Sequence, residues 1–143
     1  MDTSTHSTIS DLFYGISRRY ANRTALIEGD NKLSFNDLTD YSSKVAHQFA
    51  ESGIKAGDHV GVALRHNISA LTSMLAIWKL NAVAVPIDFR IRPSEREKYA
   101  NEFGLTIIVQ DGAAANINYR VIIWNQEFES KVAKQSIAPP SGH

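Results

Sequence analysis

The sequence predicts an α/β fold: a mostly parallel sheet with helices on both faces. Short apolar, β-prone runs alternate with stretches of helical periodicity, the pattern that parallel sheets and crossover helices produce. One of those runs, 59–64, is too continuously apolar for a strand with one wet face and suits an interior parallel strand, and 105–109 is the clearest strand in the chain. The chain has 143 residues, 43% apolar and 21% charged, enough to bury a single core. One subdomain is expected over 1–132, followed by a linker or disordered tail over 133–143, where Pro139-Pro140-Ser141-Gly142 discourages regular structure.

The elements follow in order. Ile9, Leu12, Phe13 and Ile16 recur at helical spacing, predicting a one-sided helix from Ile9 to Tyr20 with Ser10 or Asp11 capping its start. Thr24 to Ser34 reads as a small hairpin around Gly29-Asp30. Ser34-Phe35-Asn36-Asp37 has capping-box spacing, so a second helix begins there. It carries Leu38, Tyr41, Val45 and Phe49 on one stripe and closes at Gly53. After the Gly57-Asp58 turn come the strand 59–64, a helix capped by Asn67, and the strand 82–87. The helix should bury Met74, Leu75 and Trp78, and Pro86 suits only a strand's end. Pro93 can open the next helix, which Gly104 terminates. The strands 105–109 and 119–124 complete the pattern.

Composition excludes several function classes. Lys plus Arg equals Asp plus Glu at 15 each, so no long-range field gathers nucleic acid or an anionic membrane. The absence of cysteine removes disulfides, thiolate nucleophiles and Cys-ligated metals. The longest mainly apolar stretch, 70–80, falls well short of the ~20 residues of a membrane span, and the first eight residues do not read as a leader peptide. The expected location is therefore cytoplasmic. The five histidines have no partners at metal-ligand spacing, and no metal is assigned.

Four consecutive features carry a resemblance. Leu33-Ser34-Phe35-Asn36-Asp37-Leu38 resembles the first core motif of the adenylate-forming (AMP-binding) superfamily, which includes acyl-CoA synthetases, luciferases and peptide-synthetase adenylation domains. Gly53-Ile54 followed by Gly57-Asp58-His59-Val60-Gly61-Val62 resembles its next segment. Trp78-Lys79-Leu80-Asn81-Ala82 through Val85-Pro86-Ile87-Asp88 resembles its second core motif, and Phe89 to Val109 the helix and strand beyond. The resemblance runs from about Ile9 to Asp111 and covers only the superfamily's N-terminal subdomain. Asn81 stands where the superfamily usually has glycine; asparagine tolerates positive φ better than most residues, so the turn should survive. Arg92 stands where a Ser or Thr cap is common, with Ser94 and Glu97 as a displaced capping box.

The resemblance implies an N-terminal portion of an ATP-dependent carboxylate-adenylating ligase, inactive alone. The superfamily's phosphate loop, ribose-binding acid and catalytic lysine lie downstream of the matched region. Neither Gly-x-x-x-x-Gly-Lys nor Gly-x-Gly-x-x-Gly occurs here. Hence no catalytic and no cofactor-binding residue is assigned on this chain. ATP and Mg²⁺ are expected with the complete enzyme, and CoA or a carrier-protein thiol as acceptor. Asp88, Arg90 and Arg92 follow a strand's C-terminal end, where open α/β sheets bind ligands; they are candidates for substrate or subdomain contact, set against a plain turn role. Expected partners are the remaining subdomains or a related full-length ligase, with a homo-oligomer also open. The alternative is a stand-alone, non-catalytic interaction or regulatory module derived from that fold.

Overall fold

The computed structural model describes residues 8–113 and 117–137. The elements run α1 (Ile9–Arg19), β1 (Thr24–Glu28), β2 (Asn31–Ser34), α2 (Phe35–Glu51), β3 (His59–Ala63), α3 (Asn67–Lys79), β4 (Val83–Pro86), α4 (Pro93–Phe103), β5 (Leu105–Gln110), β6 (Arg120–Ile123) and α5 (Gln126–Ala133). A four-stranded parallel sheet has the order β4-β3-β5-β6, and β1 with β2 forms a separate antiparallel hairpin. The predicted fold class is therefore the observed one. The short helix α5, capped by the Asn125 side chain on the N–H of Phe128 at 2.9 Å, adds to the predicted elements. Of the predicted tail, 138–143 lies outside the described residues, while Gln135 is bonded to Gln48 and Glu51 of α2.

Two-residue alternation divides the sheet between its faces. Val60 and Val62 of β3 with Ile107 and Val109 of β5 meet α2, α3 and α5 in the larger core, where Val45, Phe49, Ile77, Leu80 and Val132 are fully buried. Ala63 and Ile108 point to the opposite face and pack with Ala100 of α4. On that face Gly61 leaves little room for a side chain: a Cβ there would stand 3.0 Å from Ile87 and from Leu105, and 3.1 Å from Ile108. The predicted stripe of α2 is buried through Leu38, Val45 and Phe49, each removal from water contributing roughly 1.5–3 kcal/mol.

Caps decide where the helices begin. The Ser34–Asp37 box is present, with both reciprocal bonds at 3.0 Å. Thr8, rather than Ser10 or Asp11, caps α1: its hydroxyl accepts from the N–H of Asp11 and the Asp11 carboxylate accepts from the N–H of Thr8. No displaced box forms at Ser94 and Glu97, because Pro93 already starts α4; Ser94 lies within the helix and Glu97 accepts from the N–H of Asn118. Nor does Asn67 cap α3. The carboxylate of Glu28, at the end of β1, accepts from the N–H groups of Asn67 at 2.8 Å and Ile68 at 3.3 Å.

The buried side of α3 also differs from expectation. Ser69, Thr72, Ser73, Leu75, Ala76 and Ile77 are buried, while Trp78 is only half-buried and Met74 packs at the core's margin. The hydroxyls of Ser69 and Thr72 tolerate this position because they donate to carbonyls of their own helix, whereas that of Ser73 has no partner among the described residues. The small side chains of α2 and α3 then form the principal helix–helix contact. Apolar periodicity alone could not have found it. Helix α1 goes further: of its predicted stripe only Phe13 turns inward, half-buried with its ring 6.1 Å from that of Phe35, while Ser17 is buried and Ile9, Leu12 and Ile16 are exposed at 57%, 60% and 46%.

Candidate functional site

The C-terminal ends of the parallel strands bring together residues that are distant in sequence. The β4–α4 connection holds Asp88, Phe89 and Arg90. Arg90 grips the Asp88 carboxylate through Nε at 3.0 Å and Nη2 at 2.8 Å, and its own N–H donates to Asp88 Oδ1 at 2.9 Å. These bonds hold the Asp88 carboxyl down at about 2. Both side chains remain exposed, so the motif shapes the loop more than it adds to stability. Arg92 does not join them; it faces Glu95 of α4 at 3.6 Å. Of the three candidates, two form one unit and the third belongs to the next helix.

Beside this pair lies a buried polar cluster that no sequence motif announces. Arg96, 8% exposed, donates through Nη1 to Gln110 Oε1 at 3.0 Å and through Nη2 to the carbonyl of Phe89 at 2.8 Å. Gln110 also accepts from the Tyr119 hydroxyl and donates to the carbonyl of Gly112. Helix α4 thereby fixes the loop carrying Asp88 and Arg90 onto the end of β5. An arginine at helical position four looks like any exposed charge in sequence, and only the sheet behind it makes it a buried clamp. On the adjoining strand end, the N–H of Arg65 donates to Asp111 at 2.8 Å and its guanidinium lies over the Phe89 ring at 5.2 Å.

A cleft of about 440 Å³ opens between the hairpin and this rim, lined by Glu28, Tyr41, His66, Asp111, Trp124 and Glu129 among others. Burial, reinforced by the Glu129 carboxylate, pushes the Tyr41 phenol up to about 12. Open α/β sheets often receive a phosphate at a strand–helix turn, on the free N–H groups of the helix. Here those of Asn67 and Ile68 are taken by Glu28, and the carboxylates of Asp111 and Glu129 line the same cleft. The described residues lining this cleft do not fit a triphosphate. Among the described residues no cluster of three His, Asp or Glu could hold a metal ion, and no helix is long and apolar enough to cross a membrane.

The profile of the AMP-binding enzyme family matches residues 14–138. The chain belongs to that family. Among curated AMP-binding relatives, a phosphinothricin tripeptide synthetase of Streptomyces viridochromogenes is 25% identical over 114 residues, which are 80% of this chain and 10% of that protein. A medium/long-chain-fatty-acid–CoA/3-oxocholest-4-en-26-oate–CoA ligase of Mycobacterium marinum is 28% identical over 103 residues, 72% of this chain and 19% of that one. The fold matches the N-terminal subdomain of NpsA from Klebsiella oxytoca with a TM-score of 0.83 at 20% identity, covering 95% of this chain and 35% of the other. The AMP-binding chain described here thus spans a small part of the proteins it resembles. Its sheet is the opening sheet of their adenylate-forming fold.

Proposed function

We propose that this chain is the opening portion of the core of an ATP-dependent carboxylate-adenylating ligase, that it does not adenylate alone, and that it supplies one wall and the scaffold of a site completed by the rest of that core. The observation that carries this reading is α1. Three of its apolar residues, Ile9, Leu12 and Ile16, face outward, while Ser17 is buried and Phe13 is half-buried against Phe35. An amphipathic helix set this way round calls for a further surface to cover it. Family membership supports the remaining subdomains of an AMP-binding enzyme as that surface.

Within such a core the Asp88–Arg90 unit, fixed by Arg96, is a preformed contact at the strand ends, for substrate or for the neighbouring subdomain. The cleft beside Glu28 leaves no free helix N–H groups for a triphosphate, and this reading therefore assigns ATP and Mg²⁺ to the remainder of the core. The names of the relatives, a tripeptide synthetase and a fatty-acid–CoA ligase, support a carboxylic acid as substrate and CoA or a carrier-protein thiol as acceptor.

ATP–pyrophosphate exchange tests the reading. The isolated chain should give none with any carboxylic acid; exchange dependent on ATP and an acid would overturn it. Mixed with a peptide-synthetase adenylation domain from which the matching segment has been deleted, the chain should form a complex and restore exchange. A complex without exchange would favour the non-catalytic interaction module instead.

A further inference from the structure

At the other end of β4 from Asp88 and Arg90, a cleft of about 760 Å³ opens between α1, α2 and the end of α3, with Asn81 on its wall. Helix α1 turns Tyr14 and Ser17 into it, α2 contributes Thr39 and Asp40, and α3 contributes Lys79. Two features of these walls are left unsatisfied by the described residues. The first is a pair of orphaned hydroxyls: Ser17, 4% exposed, and Thr39 both bury their side-chain oxygen without a hydrogen-bond partner among the described residues. Away from the cleft, the hydroxyls of Ser69 and Thr72 are satisfied by their own helix, and that of Ser73 is the other buried hydroxyl without a partner among the described residues. A buried, unmade hydrogen bond disfavours the folded state unless something else supplies the partner.

The second feature is charge. Asp40 and Lys79 line the cleft from different helices, and neither makes an ion pair among the described residues. The other charged groups at the cleft are already engaged. Asp11 caps α1, and Arg18 donates to the Tyr14 hydroxyl and lies over its ring. Desolvation lowers the Lys79 pKa, against a smaller opposing effect of Tyr14. A cation so placed is short of a counter-charge.

We propose that this cleft binds a small zwitterion, whose carboxylate is held by Lys79 and whose ammonium is held by Asp40, with the Ser17 and Thr39 hydroxyls completing its hydrogen bonds. A simple anion would satisfy Lys79 and meet repulsion from Asp40, and a simple cation would do the reverse. A molecule carrying both charges satisfies both walls and gives the two hydroxyls their partners. The inference does not depend on the adenylating role proposed above.

The test is a ¹H–¹⁵N NMR titration of the 143-residue chain with the unbranched ω-amino acids from glycine to 6-aminohexanoate, which vary the distance between the two charges. Carboxylates and alkylammonium ions of matching length serve as single-charge probes. One amino acid should saturate shifts confined to α1, α2 and the end of α3, and bind at least roughly tenfold more tightly than either single-charge probe, since hydrogen bonds to charged groups are the stronger kind. Lys79→Met and Asp40→Asn should each remove that advantage. Ser17→Ala should weaken binding yet leave the thermal midpoint of the free chain unchanged or raised, which a purely structural serine would not do. Spectral dispersion establishes that each variant is folded, and Thr39→Ala replaces any that is not. Absence of saturable binding across the series, equal binding of a single-charge probe, or unchanged binding in the folded variants would overturn the proposal.

Discussion

Asn81 sits with φ at 59°, the left-handed conformation that an L side chain adopts at a cost of roughly 1–2 kcal/mol. The connection from α3 to β4 demands it, because the Asn81 carbonyl must accept from the N–H of Gly57 at 2.9 Å as the chain reverses. Asparagine relieves part of the cost, so Asn81→Ala should lower stability by about 1 kcal/mol and Asn81→Gly should stay within about 0.5 kcal/mol of the parent, measured by urea unfolding. Asp88 offers a second test on the scale of one side chain. Its pKa is depressed by Arg90, so whatever stability the pair gives is present above the ordinary carboxylate value of 3.8 and is lost as pH falls towards about 2. A carbon-detected NMR titration should find the Asp88 midpoint near 2 and, in Arg90→Ala, see it move up towards 3.8.

At the scale of elements, a helix start is secured from elsewhere in the chain. The hairpin β1–β2 contributes Glu28 to the N-terminus of α3, where a carboxylate satisfies two N–H groups and meets the positive end of the helix dipole. Glu28→Ala should therefore destabilise the chain by about 1 kcal/mol, and Glu28→Gln by less, by thermal unfolding at neutral pH. The outward face of α1 gives the opposite expectation. Replacing Leu12 and Ile16 together with Gln should change the stability of this chain by less than about 0.5 kcal/mol, because both are exposed, yet abolish co-elution with the deleted adenylation domain on size exclusion. A loss of stability instead would mean that α1 packs inward.

Taken whole, the molecule is a two-faced sheet whose C-terminal rim is rich in interlocked charge and whose first helix presents an apolar surface. One group reports on the integrity of that arrangement at high pH. The Tyr41 phenol, raised to about 12 by burial and by Glu129, contributes stability that is complete below the unfolded value of 10.0 and is lost as pH rises from there towards 12. Alkaline unfolding followed by circular dichroism should show that decline, and Tyr41→Phe should flatten it. Tyr41 shares its surroundings with Trp124, ring centroids 6.5 Å apart, so tryptophan fluorescence gives an independent view of the same transition.

By itself the sequence determined the order of strands and helices as far as β6, the interior parallel strand β3, the Ser34–Asp37 box, the positive-φ turn at Asn81 and the resemblance to adenylate-forming enzymes. Each of these rests on neighbours within a few residues, where periodicity, turn chemistry and motif spacing act directly. Only the tertiary structure decided which residues of α3 are buried, that α1 faces outward, that Glu28 completes a helix about forty residues away, and that Arg96 clamps the loop of Asp88 and Arg90. Those outcomes depend on which surfaces meet across the fold. A serine, an arginine or a leucine carries no local mark of the partner that packing will give it.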